Sequence, residues 1–232
     1  MKVAIVRFPG SNCDLDAVSA IGSVRGLRPE LVWHESERLS GFDAVVLPGG
    51  FSFGDYLRAG AIAARSPALS VIRTMAEKGT PVLGICNGFQ ILVEAGLLPG
   101  ALLRNYSLKF VCRWVHVTVE SRGTPFTSLA REGQVLRMPI AHGEGRYYAP
   151  DEDMRALERD HRVVFRYSDE AGRVVEQANP TGTARNIAGV SNKEGNVVGL
   201  MPHPERACDP LLSPSHSADG QLIFESLLGG MN

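Results

Sequence analysis

Short apolar segments bounded by turn residues recur through the first hundred residues of the chain. Four of these segments have the length and β-branched content of strands buried on both faces; they span residues 3–8, 31–33, 44–47 and 82–85. Stretches of helical length and periodicity lie between them, over residues 14–24, 57–64 and 69–77. This alternation predicts βαβ units and therefore a parallel sheet.

The pattern changes after residue 99. Residues 110–120 alternate between apolar and polar positions as a half-exposed strand does, and residues 135–140 and 163–167 alternate more briefly. An apolar run over residues 197–201 and a helical pattern over residues 221–228 follow. We expect an α/β fold with an open, mostly parallel sheet flanked by helices and extended by an antiparallel excursion.

Composition narrows the class of protein. A chain of 232 residues without repeats or linkers suits one domain, so we expect a single domain over residues 1–232. A hydrophobic content of 44% and a net charge of -1 indicate an ordinary soluble protein without the basic excess that nucleic acid binding needs. No apolar run approaches the ~20 residues of a membrane helix, and Arg7 comes too early for a signal peptide. We therefore expect a cytoplasmic protein with neither nucleic acid nor membrane as a partner.

The segment over residues 81–92 passes from an apolar strand through G-x-C-x-G directly into a periodic helix. This is the sulfur counterpart of the nucleophile elbow, in which a sharp turn lifts the reactive side chain above the sheet. The helix N-terminus favours the thiolate, and its N–H groups suit an oxyanion. We therefore predict that Cys86 is an exposed nucleophile and that the backbone N–H of Asn87 is an oxyanion donor.

The other cysteines lack such a pattern. Cys13 also lies between a predicted strand and a helix, but no glycines flank it as they do an elbow, and the acidic Asp14 and Asp16 disfavour a thiolate. We expect it to be a packed, unreactive thiol. Cys112 and Cys208 are expected to be structural. The four cysteines form no C-x-x-C pair, so neither a disulfide framework nor a metal site is expected.

A cysteine nucleophile that attacks an amide needs a base and a proton donor, and histidine serves as both. His203 follows an apolar strand and is expected at the same sheet edge as Cys86. Glu205 lies two residues further on, which in a segment kept extended by Pro202 and Pro204 points to the same side. These residues predict a Cys-His-Glu triad. His142, in a glycine-rich segment, is the alternative base.

A pair of glycines, Gly49 and Gly50, ends the third predicted strand. A phosphate-binding loop is one interpretation, but the G-x-x-x-x-G-K-[S/T] pattern is absent. An oxyanion hole fits better, with the backbone N–H of Gly50 facing that of Asn87 across the sulfur. A plain turn remains a third interpretation.

These motifs together resemble the triad-type (class I) glutamine amidotransferase family, whose fold is flavodoxin-like. Within that family they resemble the small-type glutaminase subunits of an ATP-dependent carbon-nitrogen ligase of purine biosynthesis. The resemblance is carried by residues 9–14, 49–63, 86–90, 139–145, 186–190 and 201–206.

The resemblance implies that the chain hydrolyses glutamine and gives the ammonia to a large synthetase subunit, which is joined to it by a small bridging subunit. That partner converts formylglycinamide ribonucleotide to formylglycinamidine ribonucleotide and carries ATP and Mg²⁺, so no cofactor is expected in this chain. Gln90, His142 and Gly143 are expected to hold the substrate. Two rival hypotheses are an independent cysteine peptidase or γ-glutamyl hydrolase, and an interaction domain without catalysis.

Overall fold

The computed structural model of the protein describes residues 1–229. Its strands are β1 Lys2–Arg7, β2 Arg28–Trp33, β3 Ala44–Leu47, β4 Val82–Ile85, β5 Ala101–Leu103, β6 Val111–Val119, β7 Val135–His142, β8 Arg146–Tyr148, β9 Val163–Ser168, β10 Ile187–Ser191 and β11 Val197–Leu200. Its α-helices are α1 Asp14–Ser23, α2 Pro67–Glu77, α3 Asn87–Glu94, α4 Asp151–Arg159 and α5 Gln221–Gly229.

Within the described residues, nine strands form one sheet in the order β2-β1-β3-β4-β11-β10-β9-β6-β7. The strands from β2 to β11 in this order run parallel, and β10, β9, β6 and β7 continue the sheet with antiparallel pairs. Strands β5 and β8 pair separately. The parallel sheet with an antiparallel excursion, predicted from the hydrophobic pattern, is confirmed.

The insertion of β11 beside β4 decides where the site lies. The two strands are parallel, with Val197 paired to Val82 and Leu200 paired to Ile85. Both strands are buried throughout, as expected for the centre of a parallel sheet. Because parallel strands end at the same edge, the residues that follow Ile85 and Leu200 meet there.

The helix predicted over residues 57–64 is wrong. This segment consists of turns that end in a short 3₁₀ turn, Ala63–Arg65. Leu57 and Gly60 have φ angles of 69° and 80°, which interrupt a right-handed helix. Helix α4 was not predicted from the sequence, although Pro150 before it, acidic residues in its first turn and Arg159 in its last turn are helix signals.

The hydrophobic core follows the sheet, and its apolar side chains come from the strands and from the inward positions of the helices. None of the helices within residues 1–229 has the length and apolar character needed to cross a membrane.

Candidate active site

Cys86 occupies a sharp turn between β4 and α3. Its backbone has φ 50° and ψ -104°, a combination that a residue with a Cβ atom adopts only under strain. A Cβ on Gly84 would lie 2.6 Å from the carbonyl oxygen of Gly88, and a Cβ on Gly88 would lie 2.0 Å from that of Leu47. The two glycines therefore allow α3 to pack directly on the strands, as the elbow pattern predicts.

The predicted exposure of Cys86 is wrong, because only 4% of the residue is exposed. The antiparallel half of the sheet covers the turn: the sulfur lies 3.9 Å from the carbonyl oxygen of Ala141 in β7. The thiol therefore faces an enclosed space and not open solvent.

His203 lies three residues beyond the end of β11, at the sheet edge predicted for it. Its backbone N–H donates a hydrogen bond to the Pro139 carbonyl oxygen at 2.8 Å. Its Nδ1 lies 2.6 Å from Oε1 of Glu205, and both side chains are buried. The predicted extended segment is wrong, because Pro204–Arg206 form a 3₁₀ turn. That turn brings the carboxylate back to the imidazole.

The charge state of His203 depends on opposing effects. Burial lowers the pKa of the imidazole, but the negative charge of Glu205 and the adjacent Cys86 thiol outweigh burial and raise the pKa well above 6.5. The protonated ring is therefore favoured in the resting site. Nε2 of His203 is buried and has no hydrogen-bond partner among the described residues.

Cys13 lies next to this histidine, which the sequence analysis did not foresee. Its sulfur, a ring nitrogen of His203 and a carboxylate oxygen of Glu205 all lie within 4.8 Å of one another. Burial raises the pKa of the Cys13 thiol, which agrees with the expected low reactivity. These three groups are the donor types that hold a metal ion, but the hydrogen bond between His203 and Glu205 already joins two of them.

The paired glycines lie against the same residues. A Cβ on Gly49 would lie 2.7 Å from Cε1 of His203 and 3.1 Å from the Cys13 sulfur. Gly50 forms an isolated antiparallel bridge with Ser11, whose hydrogen bonds are donated by the N–H groups of Asn12 and Phe51. That pattern leaves the N–H of Gly50 unused by the bridge, as an oxyanion donor requires.

A cavity of about 180 Å³ opens onto the Cys86 turn. Its walls come from the loop after β3, the start of α3, the residue before β6 and the end of β7 with the loop beyond it. They are formed by Gly50, Phe51, Asp55, Cys86, Gln90, Phe110, Ala141, His142, Gly143 and Glu144. The structure therefore brings Gly50, Cys86, Gln90, His142 and Gly143, all predicted as site residues, to one cavity.

His203 and Cys13 line a neighbouring cavity of about 160 Å³. The two cavities share four wall residues, Gly50, Phe51, Phe110 and Ala141. Cys86 lines the first cavity and His203 lines the second, so the two side chains face adjoining cavities.

Amide side chains at the start of α3 form a hydrogen-bonded chain. Oδ1 of Asn87 accepts from the Ser52 N–H at 3.1 Å, while Nδ2 donates to Oε1 of Gln90 at 2.9 Å and to Oδ1 of Asp55 at 3.3 Å. Nε2 of Gln90 in turn donates to the Glu144 carbonyl oxygen at 2.6 Å. Gln90 is therefore fixed in place at the cavity wall.

Asp55 and Glu144 are wall residues that the sequence analysis missed. Burial, and then the charge of Glu144, raise the pKa of Asp55 to about 6, against a smaller lowering by its hydrogen bond with Asn87. An acidic residue in a loop with aromatic neighbours gives no signal of this kind in the sequence.

His142 is the last residue of β7 and is buried. Burial, followed by the charge of His203, lowers the pKa of its imidazole to about 3, so the ring is neutral at working pH. Its Nδ1 lies 3.3 Å from Oδ1 of Asn105, whose Nδ2 donates to the His142 carbonyl oxygen at 2.8 Å. A ring with so low a pKa is poorly suited to be the base, which favours His203 over this alternative.

A family model for the CobB/CobQ-like glutamine amidotransferase domain matches residues 1–227. The chain belongs to this family. The amidotransferase is 57% identical to the phosphoribosylformylglycinamidine synthase subunit PurQ of Thermomicrobium roseum over 228 residues, covering 98% of this chain and 95% of that one. It is 54% identical to the PurQ subunit of Aquifex aeolicus, covering 98% and 99% of the two chains.

A solved structure, described as PurLQS from Thermotoga maritima, contains a similar chain. That chain is 44% identical to the amidotransferase, with a TM-score of 0.87 and coverage of 100% of this chain and 99% of that one. The expected resemblance to glutamine amidotransferases is confirmed.

Proposed function

We propose that this protein is the glutaminase subunit of phosphoribosylformylglycinamidine synthase, with a Cys86, His203 and Glu205 triad. The observation that carries the proposal is the strained cysteine turn next to a buried His-Glu pair, in a chain 57% identical to such a subunit. The proposal gives the cavity of about 180 Å³ that Cys86 lines a role as the site for glutamine, the substrate.

In this mechanism the Cys86 sulfur attacks the side-chain carboxamide carbon of glutamine. The backbone N–H groups of Gly50 and Asn87 stabilise the oxyanion that forms. His203 gives its proton to the departing nitrogen as the C–N bond breaks, which releases ammonia and leaves a γ-glutamyl thioester. A raised pKa suits this first task, because the ring then starts with a proton to give.

Water completes the reaction. His203, now neutral, removes a proton from the attacking water, the C–S bond breaks, and glutamate leaves with the thiolate and the protonated imidazole regenerated. Glu205 holds the ring by its Nδ1 and stabilises the imidazolium. We propose that Gln90, His142 and Gly143, which line the cavity, hold the rest of the glutamine molecule.

The ammonia is used by a partner. We propose that the chain acts as one amidotransferase domain in the cytoplasm, together with a large synthetase subunit that binds ATP and Mg²⁺ and a small bridging subunit. The proposal is supported by the names of its relatives, which are synthase subunits, and by the PurLQS description of the similar solved chain. The large subunit would convert formylglycinamide ribonucleotide to formylglycinamidine ribonucleotide.

The test is Cys86→Ala in a complex reconstituted with the synthetase subunits. Synthesis from glutamine should be lost, whereas synthesis from free ammonium salts should persist, because only ammonia production depends on the thiol. Cys112→Ala is the matched control, since that thiol is exposed in β6 and lies outside the cavity walls. Continued use of glutamine by Cys86→Ala would rule out the assignment.

A further inference from the structure

The wall of the Cys86 cavity carries two carboxylates, Asp55 and Glu144. They are the only acidic residues that line it, and none of the lining residues is a lysine or an arginine, while His142 is neutral. An enclosed space with acidic groups and no cation in its wall is complementary to a positive charge. L-glutamine carries one such group, its α-ammonium.

We infer that Asp55, assisted by Glu144, binds the α-ammonium group of glutamine and thereby determines which amides reach Cys86. The inference rests on the proposed glutaminase function and adds the recognition of the amino acid end of the substrate. It makes Asp55 a specificity-determining residue that takes no part in the chemical step.

The loop that carries Asp55 is built in an unusual way. Phe53, Gly54 and Asp55 have φ angles of 53°, 69° and 53°, three successive left-handed residues of which only one is glycine. A left-handed conformation is unfavourable for a residue with a side chain. Such strain is retained where the surrounding structure fixes a side chain for function, and here it places a carboxylate in the cavity wall.

Neighbouring groups leave Asp55 free to bind a cation. Its Oδ1 accepts a hydrogen bond from Asn87, which fixes the carboxylate without neutralising it. Arg58, three residues further on, forms an ion pair with Glu94 at the surface. Glu144 has Arg104 at 3.5 Å, on a side chain that is itself mostly exposed. Among the described residues, no such ion pair involves Asp55.

The electrostatics of the site agree with this role. The pKa of Asp55, raised to about 6 by burial and by Glu144, shows that the ionised carboxylate lacks a compensating positive charge. An ammonium ion with its three N–H donors supplies that charge when it binds. Gln90, held by Asn87 and by the Glu144 carbonyl, gives this end of the cavity a fixed polar wall.

The experiment compares two amides in the reconstituted complex, with glutamine as one substrate and 4-carbamoylbutanoate, which lacks only the α-amino group, as the other. Asp55→Asn should lower kcat/KM for glutamine about 10- to 100-fold, mostly through KM, as loss of a charge-assisted hydrogen bond does. The same substitution should change kcat/KM for 4-carbamoylbutanoate by less than about twofold, because that substrate has no ammonium group to lose.

Two further variants make the result specific. Glu94→Gln removes one negative charge near the same loop but outside the cavity wall. It should leave the ratio of kcat/KM for glutamine to kcat/KM for 4-carbamoylbutanoate unchanged. Glu144→Gln should shift the ratio in the same direction as Asp55→Asn, by a smaller factor. Equal losses for both substrates, or no loss for either, would overturn the inference.

The outcome is separable from that of the proposed function. If the wild-type complex releases no glutamate from glutamine, or if Cys86→Ala still does so, the glutaminase proposal fails. If glutaminase activity depends on Cys86 but the substrate ratio does not depend on Asp55, only the subsite inference fails.

Discussion

The backbone of Cys86 is strained, and two substitutions that remove the thiol measure the strain. Its φ of 50° and ψ of -104° are the mirror image of an ordinary extended conformation. Glycine adopts either image with equal ease, whereas alanine has a Cβ atom that disfavours this one. The difference in unfolding free energy between Cys86→Gly and Cys86→Ala should therefore favour glycine more than the same pair of substitutions does elsewhere in the protein.

Cys13 supplies the matched pair of variants. It is also a buried cysteine directly before a helix, but its φ is -106°, so its backbone is not left-handed. Glycine usually lowers stability by roughly 0.5 to 1 kcal/mol relative to alanine through unfolded-state entropy. Three contributions are common to both positions and cancel in the comparison. They are this entropic loss, the loss of a buried methyl group and the preference of helix N-caps for glycine.

The remaining difference is the strain at Cys86, about 1 to 3 kcal/mol for a residue held in a sparsely populated conformation. In a chain of 232 residues, each 1 kcal/mol corresponds to about 2 to 4 °C in Tm. Urea unfolding of the four variants, followed by circular dichroism, gives the four free energies of unfolding. If the glycine-minus-alanine difference were the same at Cys86 and at Cys13, the turn would store no strain and the reasoning would be refuted.

Three other predictions follow from the site. Folding raises the pKa of the Asp55 carboxyl from 3.8 to about 6, so the contribution of this group to stability falls as pH rises from about 4 to about 6. Asp55→Asn should therefore be about 1 to 2 kcal/mol more stable than wild type at pH 7, after discounting for partial exposure, and no more stable at pH 3. Equal stability at both pH values in urea unfolding would contradict the raised pKa. His203→Ala should lower glutamine-dependent kcat by about 10² to 10⁴, because His203 transfers the protons. Glu205→Gln should lower it by less, because Glu205 only orients His203. Steady-state kinetics that show the reverse order would contradict the assigned roles. Gly49→Ala should reduce glutamine-dependent kcat, because the added Cβ would lie 2.7 Å from Cε1 of His203. Ammonium-dependent synthesis should persist. An unchanged glutamine-dependent kcat would show that the His203 ring has room to move.

Local sequence patterns predicted the features that depend on neighbouring residues. The G-x-C-x-G spacing predicted the turn at Cys86, because both glycines are needed for the close approach of strand and helix. The apolar run before His203 placed that residue at the correct sheet edge, because parallel strands of a central sheet share their ends.

Features created by distant parts of the chain could not be predicted in this way. Cys86 is buried because β7 covers it, and Cys13 reaches His203 because the β1 end and the β3 end are joined by hydrogen bonds to the Gly49 carbonyl. Leu57 begins a segment with helical periodicity, but Gly60 within it is left-handed and packs directly against the backbone of Gln90 and Ile91, which are distant in the sequence. Asp55 lies within a segment that carries the family resemblance, but its place in the cavity wall depends on distant residues and is visible only in the folded protein.

The position of β11 has a consequence for synthesis on the ribosome. This strand joins the parallel and antiparallel halves of the sheet, and it emerges late in translation although it pairs with β4 from much earlier. Until it arrives, a nascent chain exposes one unpaired edge of the apolar β4, which favours association with other chains and with chaperones. The same delay keeps His203 away from Cys86, so an incomplete chain holds the thiol without its imidazole and consumes no glutamine.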